Sequence, residues 1–224
     1  FIEKFFNIVE KKHHNRIINY IKALDIEKII DAGAHKGQFL YCALKIKKIK
    51  KIYAFEPQSI ANKILLEKFK KFKNVEIFNY ALDKEISKKK IYLNNFSKSS
   101  TLSEFNNDSF YLKIKNFLTG SKNNFEESYD VNTNTINNIF KNISMDKTLL
   151  KIDVEGYEIN VLEGAKEKIK ELPFILIEHQ FGNHYKNSNT EMNHNFLIQN
   201  NFKILKSFYP FSLNYKDVLY QKIY

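Results

Sequence analysis

The sequence is poor in residues that staple, punctuate or span. Its 224 residues include one cysteine, three prolines, six glycines and one arginine. No apolar run approaches the roughly 18 to 20 residues that a membrane-spanning helix needs. The single thiol, Cys42, forms no internal disulfide, which excludes a stapled secreted scaffold and leads us to expect a cytoplasmic setting. No Pro/Gly/Ser-rich linker divides the chain, and no internal repeat is visible. The opening FIEKFF has neither an initiator Met nor a signal-peptide pattern, as expected of a boundary within a longer protein.

What is present describes a folded domain. With 43% hydrophobic residues and 27% charged residues of both signs, the chain can bury one substantial core and lacks the signature of disorder. The formal charge of +11 invites a nucleic-acid partner, because basic surfaces attract phosphate backbones. The kind of charge counts against it. Of 36 basic residues only Arg16 carries the guanidinium fork favoured for phosphate and base recognition, and the lysines are scattered. With abundant Asn, Ile, Phe and Tyr, this composition reads as AT-rich codon usage.

Short apolar runs at 28–32 (KIIDA), 51–55 (KIYAF) and 148–154 (TLLKIDV) read as buried strands. Each is followed by a helix-period segment, with Leu40, Ala43 and Leu44, then Leu65, Phe69 and Phe72, then Leu162, Ala165 and Ile169 on one face. Further strands are expected at 75–80, 174–179, 202–208 and 217–223. Such alternation predicts an α/β fold, a doubly wound parallel sheet with helices on both faces. Residues 1–24 read as a helical extension packed on the domain. The pattern breaks between Asp83 and Asp130, where 89–93 could add a strand and 94–127 form an insertion expected near the substrate.

The first strand runs into Asp31-Ala32-Gly33-Ala34-His35-Lys36-Gly37. Gly33 permits a tight turn and close backbone approach, and Gly37 opens the following helix. The spacing is neither the G-x-G-x-x-G of dinucleotide enzymes nor a P-loop, and Asp31 would receive an amine but repel a pyrophosphate. Glu56, twenty-three residues beyond Gly33, ends the second strand before Pro57, where a carboxylate can accept both hydroxyls of a ribose. A ligand with an amine and an adenosine ribose is implied, and S-adenosylmethionine fits.

The segments IIDAGAHKGQFL, IYAFEPQ, VEIFNYALDKE, SSTL, VNTNTI, LLKIDVEGYEINVLEGA and FILIEHQ, in this order, resemble the FkbM family of S-adenosylmethionine-dependent methyltransferases over roughly residues 28 to 180. The resemblance implies a Rossmann-like class I methyltransferase domain over 25–224, with a mostly parallel seven-stranded sheet and an antiparallel last strand. It also implies transfer to a hydroxyl oxygen. By position, Asp31, Gly33, Ala34, His35, Gly37, Glu56 and Pro57 match its cofactor loop and ribose acid, and Ala81, Leu82 and Asp83 its adenine turn. His35 departs from the family's usual Asn.

Strand carboxyl ends place Asp153, Glu155, Glu178 and His179 around the same crevice. A hydroxyl acceptor must lose a proton, and Glu155 and His179 are the candidate bases. Asp153 and Glu155 could instead cap the next helix, and Glu178 and His179 could be ordinary strand-end groups. Asp153 with Glu178 or His179 could also ligate a divalent metal, although no spacing demands one. Ser99, Ser100 and Thr101 offer hydroxyls to the cofactor or a polar substrate, or form plain loop. His13 and His14 face apart on a helix and read as surface, as do His184 and His194, whereas Cys42 reads as core.

The leading expectation is O-methylation of a small hydroxylated metabolite or a saccharide. An RNA or DNA methyltransferase and a non-catalytic module that keeps the cofactor fold are the alternatives. No N-P-P-[YF] follows the fourth strand, where Asp153-Val154-Glu155 stands, and a nicotinamide dehydrogenase fails on glycine spacing.

Overall fold

Strands that are apolar on both faces need a cover on each side, and the helices of this chain supply both. The structure, a computed structural model, describes residues 2–94, 100–103, 125–181, 190–210 and 215–224. The strands in chain order are β1 Lys28–Ala32, β2 Lys51–Phe55, β3 Val75–Phe78, β4 Ala81–Leu82, β5 Lys88–Asn94, β6 Ser100–Thr101, β7 Phe125–Asn134, β8 Thr148–Ile152, β9 Phe174–Gln180, β10 Phe202–Phe208 and β11 Tyr215–Lys222. The helices are α1 Ile2–Ile21, α2 Gln38–Ala43, α3 Ser59–Phe69, α4 Ile136–Ile139, α5 Glu158–Glu163, α6 Lys168–Glu171 and α7 Thr190–Gln199.

Seven strands form one sheet in the order β10-β11-β9-β8-β1-β2-β3. From β9 to β3 all neighbours pair parallel. The last strand, β11, lies antiparallel between β9 and β10. On one face Ile29, Ala54, Leu149 and Leu176 pack on Ile17 and Ile21 of α1, Leu40 of α2 and Leu65 of α3. The other face presents Ile30, Leu150, Ile175 and Tyr220 to Leu162 of α5, Ile169 of α6 and Leu197 of α7. Each such buried aliphatic side chain contributes about 1.5–3 kcal/mol relative to exposure. No described helix is long and apolar enough to cross a membrane.

Several elements differ from the pattern read in the sequence. The third expected helix is two short ones, α5 and α6, broken around Gly164 and Lys166, the latter at φ 41. A Cβ on Gly164 would lie 2.0 Å from the Asp83 carbonyl oxygen, so the break lets two backbones touch. Leu162, Ala165 and Ile169 are buried all the same. Phe72 lies beyond the end of α3 and is 41% exposed. The strand at 148–154 stops at Ile152, leaving Asp153 and Val154 to a loop. The interrupted stretch contains a second sheet, β4-β7-β5-β6, whose longest strand, β7, was not expected. Its FEESYDVNTN is mostly polar, and the exposed Ser128, Asp130 and Asn132 alternate with buried Val131 and Thr133. Most of the insertion at 94–127 lies outside the described residues.

Candidate active site

Strand order reverses at β1. The chain runs outward through β2 and β3, then returns to place β8 on the other side of β1. Loops leaving β1 and β8 therefore diverge, and the gap at their carboxyl ends is where open α/β sheets hold ligands. A cavity of roughly 1100 Å³ lies there. Its walls include Gly33 to Gly37 after β1, Glu56 and Pro57 after β2, Ala81 and Leu82, Thr101, and Asp153, Val154, Glu155 and Tyr157 after β8. The volume exceeds that of one nucleoside-sized ligand and leaves room for a second reactant.

Glu56 is 4% exposed. Its Oε2 accepts the His35 backbone N–H at 2.8 Å, and its Oε1 accepts that of Gln58 at 2.8 Å. A carboxylate offers about four lone-pair sites, so each oxygen keeps acceptor capacity for a ligand hydroxyl. Burial pushes its carboxyl up to about 7, although the Gln58 and His35 N–H groups oppose the shift. At Gly33, φ is 81°, and a Cβ would sit 1.8 Å from the Asp153 carbonyl oxygen. Only glycine lets the β1 and β8 loops meet there.

Asp31, expected to receive an amine, is fully buried and is not part of the cavity wall. Lys151 of β8 takes it instead. Its Nζ lies 2.9 Å from Asp31 Oδ1, 3.3 Å from Asp153 Oδ2 and 3.4 Å from the Gly33 carbonyl oxygen. Burial opposes the lysine charge, yet the two carboxylates hold its ammonium above the usual range. The ion pair joins neighbouring strands directly beneath the glycine loop, since Asp31 pairs with Lys151 in the β1–β8 register.

The loop after β8 is tightly determined. Glu155 and Gly156 have φ of 54° and 89°. Glu158 Oε1 accepts the Gly156 N–H at 2.8 Å, and burial pushes the Glu158 carboxyl up to about 7. Thr101 and Ser103 donate their hydroxyls to the carbonyls of Glu155 and Gly156, each at 2.6 Å. Thr101 thus reaches the cavity but spends its hydroxyl on fastening β6 to this loop. Ser100 contributes backbone to β6, and Ser99 lies outside the described residues. The Gln180 amide donates to Glu155 Oε2 at 3.3 Å and to Glu178 Oε1 at 3.0 Å, linking the loop to β9.

The remaining candidates separate by strand face. Glu155 and Asp153 line the cavity, whereas Glu178 and His179 do not. His179 projects with Ile175 and Ile177 onto the opposite face, where its ring lies 6.0 Å from that of Tyr220. Burial, then the Lys216 and His194 charges, holds its imidazole down to about 4. It is therefore neutral and remote from the crevice. Burial drives Glu178 well above the usual carboxylate range, with Asp153, Glu155 and Asp217 adding to the shift. Ala81 and Leu82 line the cavity, but Asp83 is buried behind it, 2.8 Å from Lys89 Nζ and accepting the Tyr157 hydroxyl at 3.1 Å. Among the described residues no three His, Cys, Asp or Glu side chains are placed to hold a metal ion.

The histidines read as surface are not all so. His13 is 3% exposed and lies 2.6 Å from Asp217. His14 lines the cavity beside Glu10. His194 Nδ1 is 2.9 Å from the Tyr220 hydroxyl, and His184 lies outside the described residues. Cys42 is buried, as expected. The unforeseen participants, Lys151, Gln180, Glu10 and His14, depend on which strands and helices become neighbours. Only Lys151, a charge inside an apolar run, carried a visible signal.

The methyltransferase FkbM domain matches residues 31–205. No curated protein matches the sequence. Among solved structures, an FkbM methyltransferase from Methylobacillus flagellatus aligns with a TM-score of 0.56 at 16% identity, covering 88% of this chain and 44% of the other. This chain thus spans less than half of that relative's length. An rRNA methylase from Streptococcus thermophilus aligns at 0.53 and 11% identity, covering 93% of this chain and 95% of the other. TrmK of M. capricolum, bound to S-adenosylhomocysteine, aligns at 0.50 and 13% identity, covering 92% and 67%. At these identities the structures speak for the fold, and the domain match identifies the lineage. The chain belongs to the FkbM methyltransferase family.

Proposed function

We propose that the protein methylates a hydroxyl oxygen on a saccharide, a glycoconjugate or another small hydroxylated metabolite. The observation that carries this reading is Glu155, a carboxylate on the cavity wall that accepts from the Gln180 amide at 3.3 Å and is suited to take the proton of a hydroxyl acceptor. Glu10, Glu56 and Asp153 share that wall with Lys11, Lys36, Lys68 and Lys151, a mixed lining suited to a zwitterionic ligand end and to hydroxyl donors. The residues present fit the cofactor, because Glu56 retains acceptor capacity for ribose hydroxyls and Gly33 brings the backbone close. S-adenosylmethionine supplies a methyl group activated on a sulfonium. Holding an acceptor oxygen against that group would account for much of the acceleration in such a displacement. Glu155 would take the proton of the acceptor hydroxyl, so that the oxygen could replace sulfur on the transferred methyl. Gln180 holds its carboxylate.

A second reading, transfer to RNA, rests on Lys11, Lys36 and Lys68 among the cavity-lining residues and on the charge of +11. Methyl-labelled S-adenosylmethionine offered with hydroxylated saccharides and with RNA distinguishes the two. The proposal expects label in base-stable O-methyl ethers and its loss in Glu155→Gln with cofactor binding retained. Incorporation confined to RNA and abolished by salt would overturn it. Normal cofactor binding with no transfer to any hydroxylated acceptor would favour a non-catalytic module.

A further inference from the structure

The acids on the ligand side of the sheet differ in what they have left to give. Asp31 is enclosed and ion-paired with Lys151. Asp153 faces the cavity, and so does Glu10. Glu10 belongs to α1, which precedes the family match at 31–205. Four residues on, His14 lies on the same helix face and also lines the cavity, with its ring edge-on to Phe39 at 5.7 Å between centroids. Its Nδ1 is buried without a hydrogen-bond partner. Packing fixes this arrangement, because Ile17, Ile18 and Ile21 are buried in the core and His13 is anchored on Asp217 at 2.6 Å. Burial raises the Glu10 carboxyl above its ordinary range, and the Asp153 charge adds to the shift. The two carboxylates repel one another at the cavity wall, and Lys151, 3.3 Å from Asp153, is shared with Asp31 at 2.9 Å, so a ligand ammonium beside Glu10 and Asp153 adds a favourable charge. Burial and then the Lys151 charge bring the His14 imidazole down to about 3, so it is neutral and carries one N–H.

We propose that α1 is part of the cofactor site, Glu10 with Asp153 accepting from the ammonium of the cofactor's amino-acid end and His14 donating to its carboxylate. This rests on the S-adenosylmethionine reading and reassigns the amine from Asp31 to residues on a helix outside the family match. It also makes α1 a condition for tight binding of the intact cofactor, with little bearing on its adenosine half.

The test is calorimetric, on the full chain, with S-adenosylhomocysteine and with 5′-methylthioadenosine, which keeps adenosine and thioether but lacks the amino-acid end. The unaltered chain binds S-adenosylhomocysteine the more tightly. Glu10→Gln and His14→Ala each weaken S-adenosylhomocysteine by about tenfold and leave 5′-methylthioadenosine within about twofold. Unchanged S-adenosylhomocysteine affinity in both variants overturns the proposal. Equal loss for both ligands also overturns it, because α1 would then act only as packing. Failure of the unaltered chain to bind either ligand refutes the cofactor site itself, a result distinct from both.

Discussion

Glu56 shows how one side chain is held ready at the expense of the resting fold. Two backbone N–H groups fix its oxygens, yet burial leaves its carboxyl at about 7 instead of 4.5. The sign follows directly. An acid with a raised folded pKa binds its proton more tightly in the native state, so its contribution to stability falls as pH rises from 4.5 through 7. Glu56→Gln removes that slope. Gln also sets an amide NH2 against one of those N–H groups at every pH, so in thermal unfolding of the ligand-free chain the variant should gain on the wild type between pH 4 and pH 8, by up to about 3 kcal/mol. A stability difference that does not change between pH 4 and pH 8 would contradict this. Glu56 and Gly33 were legible in the sequence because strand-end acids and turn glycines declare themselves by position. His179 was not. It lies on the sheet face with Ile175 and Ile177, and which face a strand-end residue takes depends on what covers each side of the sheet.

At the scale of elements, the site is a junction of loops held from behind. Lys151 ties β8 to β1 through Asp31, and both charges are buried. Removing one partner of a buried pair leaves an uncompensated charge, so Lys151→Met should cost about 3–5 kcal/mol. Lys151→Met with Asp31→Asn should recover a large part of that loss in denaturant unfolding. Additive losses in the double variant would show that the pair is not the source. The strands themselves were legible as apolar runs, but their adjacency was not, and so the destination of Asp31 was missed. Strand β7 was hidden for another reason. It has one buried side, carried by Val131 and Thr133, and polar residues fill the other, so it lacks the apolar run that marks the central strands. The broken α5–α6 helix follows from Gly164, whose close approach to the Asp83 carbonyl is a tertiary contact that helical periodicity cannot register.

At the scale of the molecule, a chain of charge +11 lines its cavity with the acids Glu10, Glu56, Asp153 and Glu155 balanced by Lys11, Lys36, Lys68 and Lys151. The scarcity of cysteine, proline and arginine bears on composition, whereas the order of a few strands creates the crevice. Global charge governs how the surface meets salt and polyanions, and the local field at the end of β8 governs which ligand groups enter. The cofactor account therefore stands on the crevice at the β1–β8 switch, with Glu56 at its nucleoside end. Titration of S-adenosylhomocysteine into the full chain and into Glu56→Gln at pH 8 tests it most directly. The account predicts saturable one-to-one binding that weakens by about tenfold or more in the variant, the loss expected when a charged acceptor of ligand hydroxyls is neutralised. Absence of binding to the unaltered chain, or equal affinity in the two proteins, would contradict it.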